Sequence, residues 1–144
     1  MKTTTLKPTD IKRNWHLIDL DGQILGRVAT KIAGLLAGKG KTLTGAHLDN
    51  GDFVVAINSD KIKVTGKKLS DKIYYSHSGF PGGLKQITLQ ELLAKDSRKV
   101  IEKAIKGMLS KDKHQQPRQR RLKIFVDDKH PYANELGLNK KIAK

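Results

Sequence analysis

The sequence predicts a mixed α/β domain built around a parallel βαβ unit, and three segments carry this prediction. Trp15–Leu20 predicts a first strand, which the turn pair Asp21-Gly22 ends. Apolar residues then recur at helical spacing over Leu25–Leu36. Phe53–Asn58 contains a short continuous apolar run, which is typical of a strand covered on both faces. Strand, helix and strand in this order predict a βαβ unit with a right-handed crossover.

The next elements follow from turn and capping residues. Gly38 is expected to end the first helix as its C-cap. Ile62–Thr65 and Lys72–Ser76 predict two short strands around the turn Gly66-Lys67-Lys68, which together would form a basic hairpin. Thr88-Leu-Gln-Glu91 is a capping box, so a short helix is expected to begin there.

A longer helix is predicted from Asp96-Ser97, because a clean apolar stripe follows this cap. The stripe, which we interpret as core, consists of Val100, Ile101, Ala104, Ile105, Met108 and Leu109. Arg98, Lys99, Lys103 and Lys106 lie on the opposite face. Pro117 would break or begin any helix in the segment that follows. Leu122–Val126 predicts the last strand.

Length and composition indicate one domain without disulfide or thiolate–metal cross-links. The 144 residues fit a single domain, 1–144, with an ordered core expected at about 13–130 between a basic N-terminal leader and a basic C-terminal tail. Without cysteine the chain has neither disulfides nor thiolate metal sites. Its longest purely apolar run, Phe53–Ile57, is far shorter than the roughly 20 residues of a membrane span. A soluble cytoplasmic protein without a membrane partner is expected.

The charge balance points to a polyanion as the partner. The chain carries 29 Lys and Arg against 14 Asp and Glu, which gives a net charge of +15 and a pI of about 10.1. Nucleic acid is the first candidate for such a partner. An anionic membrane is the second, but no segment combines a basic face with a Trp/Phe-rich apolar face. Aromatic residues make up only 5% of the chain, so phosphate contacts are expected to dominate over base stacking.

Basic residues concentrate in three segments, and from these we predict the nucleic-acid-binding residues, for which the family resemblance described below implies RNA as the ligand. The hairpin segment, residues 62–86, also contains Tyr74, Tyr75 and Phe80, whose rings offer flat faces. Its glycines permit a ligand to approach the backbone closely. The predicted contacts are Lys39, Lys41 and His47 in the loop after the first helix (the first-helix loop); Lys67, Lys68, Lys72, His77 and Lys85 in the hairpin segment; and Lys111, Lys113, Arg118, Arg120 and Arg121 in the basic window, residues 110–123.

The motifs that could suggest catalysis are incomplete. Gly40-Lys41-Thr42 resembles the end of a phosphate-binding loop, but it follows a helix and lacks the required earlier glycine. His47 with Asp49 or Asp52, and His77, would be the catalytic candidates, yet no triad or carboxylate pair stands out. Five scattered histidines without cysteine have no zinc spacing. We therefore predict no metal, no cofactor and no enzymatic activity.

A family resemblance extends from about Lys12 to Tyr132, and it depends on the order and spacing of many short motifs. The residues that carry it are Trp15, Leu25-Gly-Arg27, Gly38-Lys39, Lys41, His47, Gly51-Asp52, Asn58, Lys61, Val64-Thr-Gly-Lys67, Asp71-Lys72, Tyr74-Tyr75, His77, Gly82-Gly83, Lys85-Gln86 and Lys106-Gly-Met-Leu109. With these residues the chain resembles the bacterial-type large-subunit ribosomal protein thirteen family (the L-thirteen family). After Leu109 the chain departs from that family, since Ser110 stands where the family usually has proline.

The resemblance implies a three-layer α/β/α fold with a four-stranded, mainly parallel sheet, plus a basic hairpin and extended basic termini. It also implies a structural role in the large ribosomal subunit, with large-subunit rRNA and neighbouring ribosomal proteins as partners and an early place in assembly. Family members are reported to bind mRNA as well. A free RNA- or mRNA-binding translational regulator is therefore one alternative, and a nucleotide-binding α/β enzyme is the other.

Overall fold

A computed structural model of the chain describes residues 6–42, 45 and 47–137, and it confirms the mixed α/β class. The start of the predicted leader and the end of the predicted tail, residues 1–5 and 138–144, lie outside the described residues. In chain order the elements are β1 (Trp15–Asp19), α1 (Leu25–Ala37), β2 (Phe53–Ile57), α2 (Lys68–Asp71), β3 (Ile73–His77), β4 (Leu84–Thr88), α3 (Leu89–Lys95), α4 (Ser97–Met108), α5 (Gln115–Arg120) and β5 (Leu122–Ile124), with short 3₁₀ turns at Pro8–Asp10 and Ser59–Lys61.

A parallel sheet with the strand order β1-β2-β5 forms the centre of the fold. Trp15 lies opposite Phe53, and Val54 lies opposite Leu122. The predicted βαβ unit is confirmed, because β1 and β2 are parallel neighbours joined through α1. The predicted count of four strands is wrong for the described residues. Only three strands join this sheet, since β3 and β4 pair with each other in a separate antiparallel pair.

One face of the parallel sheet contributes to a hydrophobic core that it shares with three helices. Val54 and Ala56 of β2 are fully buried in a core cluster that includes Ile32 of α1, Leu89 of α3 and Ile105 of α4. The predicted apolar stripes of α1 and α4 supply most of this cluster, as their helical spacing requires. Removing so much apolar surface from water is the main favourable contribution to the fold.

One residue of the predicted α4 stripe lies outside the core. Met108, which was expected in the core, is 45% exposed. It is the last residue of α4, and its sulfur accepts a hydrogen bond from the hydroxyl of Thr30, an exposed residue of α1. Leu109, the last residue of the predicted stripe, is buried in the core cluster as predicted.

The other face of the sheet carries an aromatic stack. Trp15 and Phe53 are register partners on β1 and β2, and their rings lie 4.3 Å apart and nearly parallel. Tyr132, from the segment after β5, packs on Trp15 at 5.2 Å between ring centroids. Phe125 lies next to Tyr132 at 6.1 Å. This stack fixes the segment after β5 against the sheet.

The structure contains a hairpin in this region, but the predicted partner strand, Ile62–Thr65, is wrong. Ile73–His77 pairs with Leu84–Thr88, not with Ile62–Thr65. Where the turn was predicted, the amides of Ser70 and Asp71 donate to the carbonyl of Lys67 and close the helical turn α2. The segment before α2 contributes only an isolated parallel bridge between Lys63 and Ile24.

The two predicted helix starts near the hairpin are confirmed. The hydroxyl of Thr88 accepts from the backbone N–H of Glu91, and the Glu91 carboxylate accepts from the backbone N–H of Thr88. This capping box begins α3 directly at the end of β4. The Asp96 carboxylate caps α4 by accepting from the N–H of Arg98. The hairpin thereby leads directly into α3, a helix of the core.

Candidate nucleic-acid interface

An open groove between α4 and α5 gathers most of the exposed positive charge of the basic window. Its volume is about 870 Å³. The charged groups that line it are Lys103, Lys106, Lys111, Lys113, Arg120 and one carboxylate, Asp112. That carboxylate lies 3.5 Å from the guanidinium of Arg118, so its charge is already compensated. The five groove cations are exposed, and none forms an ion pair with the acidic side chains that the structure describes.

Helix geometry explains why these cations share one surface. Ile101 and Ile105 of α4 face the core, so Lys103 and Lys106 lie on the exposed side of the helix. The side chain of Gln115, the first residue of α5, donates to the carbonyls of Lys106 and Leu109. These bonds satisfy carbonyls at the end of α4 and hold α5 beside it. The groove is therefore part of the rigid scaffold.

Lys103 connects this groove to the hairpin segment. Its ammonium lies 4.6 Å from the ring centroid of Tyr74 on β3, and that of Lys72 lies 5.3 Å from the same ring. Lys68, Lys72 and Lys103 line a second pocket between α1, α2 and α4. The exposed cations of the hairpin segment and of the basic window therefore form one continuous basic surface, which consists of Lys68, Lys72 and the five groove cations.

The remaining predicted residues of the hairpin segment are exposed. Lys67 precedes α2, and Lys85 lies on β4 opposite Ser76. His77 ends β3, and its Nδ1 accepts a hydrogen bond of 2.9 Å from the backbone N–H of Gly79. Because a backbone N–H can only donate, the neutral ring carries its proton on Nε2. His77 thus presents a donor to the outside.

Two of the predicted RNA contacts are buried instead. Arg118 and Arg121 are only 8% and 6% exposed. The guanidinium of Arg121 donates to the Asp49 carboxylate at 2.9 Å, and Nε of Arg118 lies 3.3 Å from the same carboxylate. Arg121 also donates to the carbonyl of Leu36. Both guanidinium groups bind the protein's own carboxylate, so we no longer include them among the expected phosphate contacts.

The first-helix loop also uses part of its charge internally. Lys41 is only 19% exposed, and its ammonium lies 2.6 Å from the Asp52 carboxylate. The other oxygen of Asp52 lies 3.0 Å from Nε2 of His16 on β1. Nε2 of His47 lies 3.1 Å from the carbonyl of Leu6, whereas Lys39 is exposed. In this loop Lys39 and His47 thus remain open to a ligand, and Lys41 serves the fold.

Asp49, Asp52 and His47, which the sequence offered as catalytic candidates, take part in the contacts just described. Asp49 and Asp52 are neutralised by cations, and the described hydrogen bond of His47 goes to Leu6 and not to either carboxylate. Gly40-Lys41-Thr42 follows the C-terminal end of α1, and its lysine binds Asp52. Among the described residues no three His, Asp or Glu side chains are grouped so that they could hold a metal ion.

The buried carboxylates make stability depend on pH. Burial is the largest single influence on the pKa of Asp52 and would raise it, but hydrogen bonds from Lys41, the N–H of Asn14 and His16 outweigh it, so the pKa lies below the ordinary 3.8. The pKa of Asp49 is lowered in the same way, since its bonds to Arg121 and Arg118 outweigh its burial.

A carboxyl group with a lowered pKa stabilises the fold at pH values above its unfolded pKa, and this contribution is lost as the pH falls through the folded pKa. We expect the free energy of unfolding to stay constant down to about pH 4 and to fall below it. Urea titrations monitored by circular dichroism over this range would measure it. Asp52→Asn should flatten the decline, whereas Asp10→Asn, an exposed control, should not. A wild-type midpoint that does not change below pH 3.8 would contradict the role of these carboxylates.

Sequence reasoning missed Lys103 and Lys106 as site residues, although it placed both on the polar face of α4. A signal was present, because two lysines spaced i, i+3 directly precede the basic window. Their significance depends on α5 folding back beside α4, which sequence spacing does not show. The continuous basic surface is the electrostatic feature typical of the nucleic-acid-binding class of proteins.

Comparison with known proteins identifies the family. Residues 13–131 match the family model of ribosomal protein L13. Large ribosomal subunit protein uL13 of Azotobacter vinelandii is 50% identical over 133 residues, which cover 92% of this chain and 94% of that protein. The protein of the same name from Pseudomonas syringae pv. tomato is 49% identical over 141 residues, 98% of this chain and 99% of that protein. That of Syntrophotalea carbinolica is 46% identical over 138 residues, 96% and 97% of the two chains.

The chain therefore belongs to the ribosomal protein L13 family, as the resemblance in the sequence predicted. In the part of the chain that the structure describes, no helix has both the length and the apolar character needed to cross a membrane.

Proposed function

We propose that this chain is a structural constituent of the large ribosomal subunit and binds large-subunit rRNA. The observation that carries the proposal is the continuous basic surface, where seven exposed cations line two pockets and the one carboxylate in those linings, Asp112, already pairs with Arg118. Relatives about 50% identical over nearly their whole length bear the name of a large-subunit protein, which supports the same role.

The mechanism is electrostatic and geometric. RNA carries one phosphate per nucleotide, and each phosphate that a lysine or arginine neutralises releases condensed counterions. The slope of log affinity against log salt should therefore change by about −0.7 to −0.9 for every such contact. Because α4 and α5 are anchored in the core, the cations of the groove keep fixed spacings. Rigid spacing favours an RNA segment whose phosphates match it, and the chain would hold that segment in place during early subunit assembly.

This role requires no catalytic step, cofactor or metal, and it would place the chain in the cytoplasm within the large subunit. Large-subunit rRNA and neighbouring ribosomal proteins are the partners that we propose. A free translational regulator bound to mRNA could use the same cations, but no described feature favours it.

Sedimentation tests the proposal directly. A cell lysate is separated on a sucrose gradient before and after a high-salt wash, and the fractions are probed for this chain. We expect it to migrate with large subunits at near one copy per particle and to survive the wash, because many phosphate contacts act together. A chain found only at the top of the gradient would contradict the ribosomal role. A chain that migrates with mRNA but not with large subunits would support the regulator instead.

A further inference from the structure

Only two aromatic side chains of this protein are strongly exposed, and both lie on the hairpin. The sequence contains seven Trp, Tyr and Phe residues, and the structure describes all of them. Four belong to the stack on the parallel sheet, and Tyr74 packs against the core cluster. Tyr75 is 62% exposed and Phe80 is 74% exposed. Exposed apolar side chains that are grouped on one element mark an interaction site more often than single ones do.

Strand register places Tyr75 on an open face of the hairpin. Successive side chains of a strand point to opposite faces. Tyr74 lies opposite Ile87, and both pack against the core. The other face therefore carries Tyr75 with Gln86 opposite it, and the flanking pairs Ile73–Thr88 and His77–Leu84. Ile73, Tyr75 and Leu84 are all exposed. We call this side of the hairpin, together with Phe80 at its tip, the outer hairpin face.

A tight turn holds Phe80 at the hairpin tip. The N–H of Gly83 donates to the carbonyl of Phe80 at 2.9 Å, which closes a four-residue turn. Pro81 at the second position and Gly82 at the third, with φ of +72°, fit a type II turn, which requires positive φ there. The N–H of Ser78 donates to the carbonyl of Gly83 and closes the loop below the turn. Little conformational entropy is therefore lost when Phe80 binds a partner.

The charge around the outer hairpin face fits an anionic partner. Residues 61–88 contain six lysines and only one acidic residue, Asp71. The hairpin itself, residues 73–88, contains no carboxylate, and His77 directs its Nε2 donor outward. Flat exposed rings beside cations are the features with which proteins bind unpaired nucleotides, whose bases stack on aromatic side chains. A protein partner is the alternative occupant, since exposed aromatic and aliphatic side chains also suit a protein interface.

We propose that the outer hairpin face binds unpaired RNA nucleotides, whose bases stack on Tyr75 and Phe80 while His77, on the same face, donates to an adjoining phosphate. Lys85, opposite Ser76, and Lys72, beside the Tyr74 ring, lie on the other face and contribute only to the positive charge around the site. This inference depends on the proposed role in RNA binding and divides that role between two sites. The groove between α4 and α5 has cations but no exposed aromatic ring, so it contacts phosphates alone. The hairpin adds recognition of bases that are not paired.

The test compares two RNA probes with the full-length chain. One is a single-stranded RNA of about 12 nucleotides with 2-aminopurine at its centre, and the other is a duplex of the same length. Tyr75→Ala and Phe80→Ala should each weaken single-strand binding about 5- to 100-fold and reduce the fluorescence quenching of 2-aminopurine. Duplex affinity and the salt slope should stay the same, because neither side chain is charged.

Further substitutions at Phe80 and Leu84 distinguish stacking of a base on a ring from a general apolar contact. Phe80→Tyr keeps a ring and should bind like the wild type, whereas Phe80→Leu should bind as weakly as Phe80→Ala. Leu84→Ala removes an exposed aliphatic side chain from the same face and should have little effect. If Phe80→Leu binds like the wild type, or if Leu84→Ala costs as much as Tyr75→Ala, stacking is refuted and the face suits a protein neighbour.

The two proposals fail in different ways. If the wild type binds both probes and both aromatic variants bind the single strand equally well, the hairpin inference is wrong and the RNA-binding role stands. If the wild type binds the duplex alone, the hairpin inference is wrong as well. If the wild type binds neither probe, the hairpin inference is wrong. If it also does not migrate with large subunits, the proposed function is refuted as well.

Discussion

Asp49→Ala is expected to lower the free energy of unfolding by about 3–5 kcal/mol, since it removes the only carboxylate that both buried arginines share. Asp49, Arg118 and Arg121 are each less than a tenth exposed. The cost of bringing these charges out of water is offset mainly by their contacts with one another. Without the carboxylate, two guanidinium groups would remain buried with unsatisfied donors.

The surroundings leave little room for relaxation. Gly51 packs so closely on α1 that a Cβ there would lie 1.7 Å from the carbonyl oxygen of Leu36. The guanidinium of Arg121 also donates to the carbonyls of Leu36 and Asp52. The loop that carries Asp49 is thus fixed between α1 and the end of α5, so a replacement side chain cannot be accommodated by moving it.

Urea unfolding of the full-length chain measures this effect, with Asp112→Ala as the matched control. Asp112 also contacts Arg118, at 3.5 Å, but its side chain is 43% exposed. Exposed ion pairs contribute about 0–1 kcal/mol, so the control should unfold close to the wild type. Equal unfolding midpoints for Asp49→Ala and Asp112→Ala would show that burial of the arginine pair does not govern stability.

Elements with local signals could be predicted from the sequence, and elements that depend on distant contacts could not. The stripes of α1 and α4 and the capping box at Thr88 each depend on residues within one or two helical turns. Ile73–His77 could pair either with the segment before it, Ile62–Thr65, or with the segment after it, Leu84–Thr88. The glycine at position 66 favoured the earlier segment, but Pro81 and Gly82 form the turn that pairs β3 with β4.

The candidate site shows the same limit. The basic window contains Arg118, Arg120 and Arg121, which share charge and residue type. Their roles diverge because Arg118 and Arg121 face inward at i, i+3 spacing, whereas Arg120 faces the groove. The carboxylate that both inward residues bind is Asp49, 69 and 72 positions earlier in the chain. No local pattern indicates a partner at that distance, so charge alone could not separate structural from exposed arginines.

Removing three charges from the groove should weaken RNA binding strongly without harming the fold. The triple variant combines Lys103→Gln, Lys106→Gln and Arg120→Gln. All three side chains are exposed, so the change in stability should be small. At about 1.5 kcal/mol per charge-assisted hydrogen bond, the lower end of the usual range, affinity for large-subunit rRNA should fall about 2,000-fold at low salt. The slope of log affinity against log salt should become shallower by about two to three.

A matched control distinguishes contact at the groove from loss of net charge. Lys95→Gln, Arg98→Gln, Lys99→Gln removes the same three charges from the end of α3 and the start of α4. Arg98 and Lys99 already pair with the Asp96 carboxylate, so they have less free charge to offer a phosphate. This variant should retain most of the affinity and of the slope. Equal losses in the two variants would mean that RNA responds to the overall charge of +15, and the groove would lose its special role.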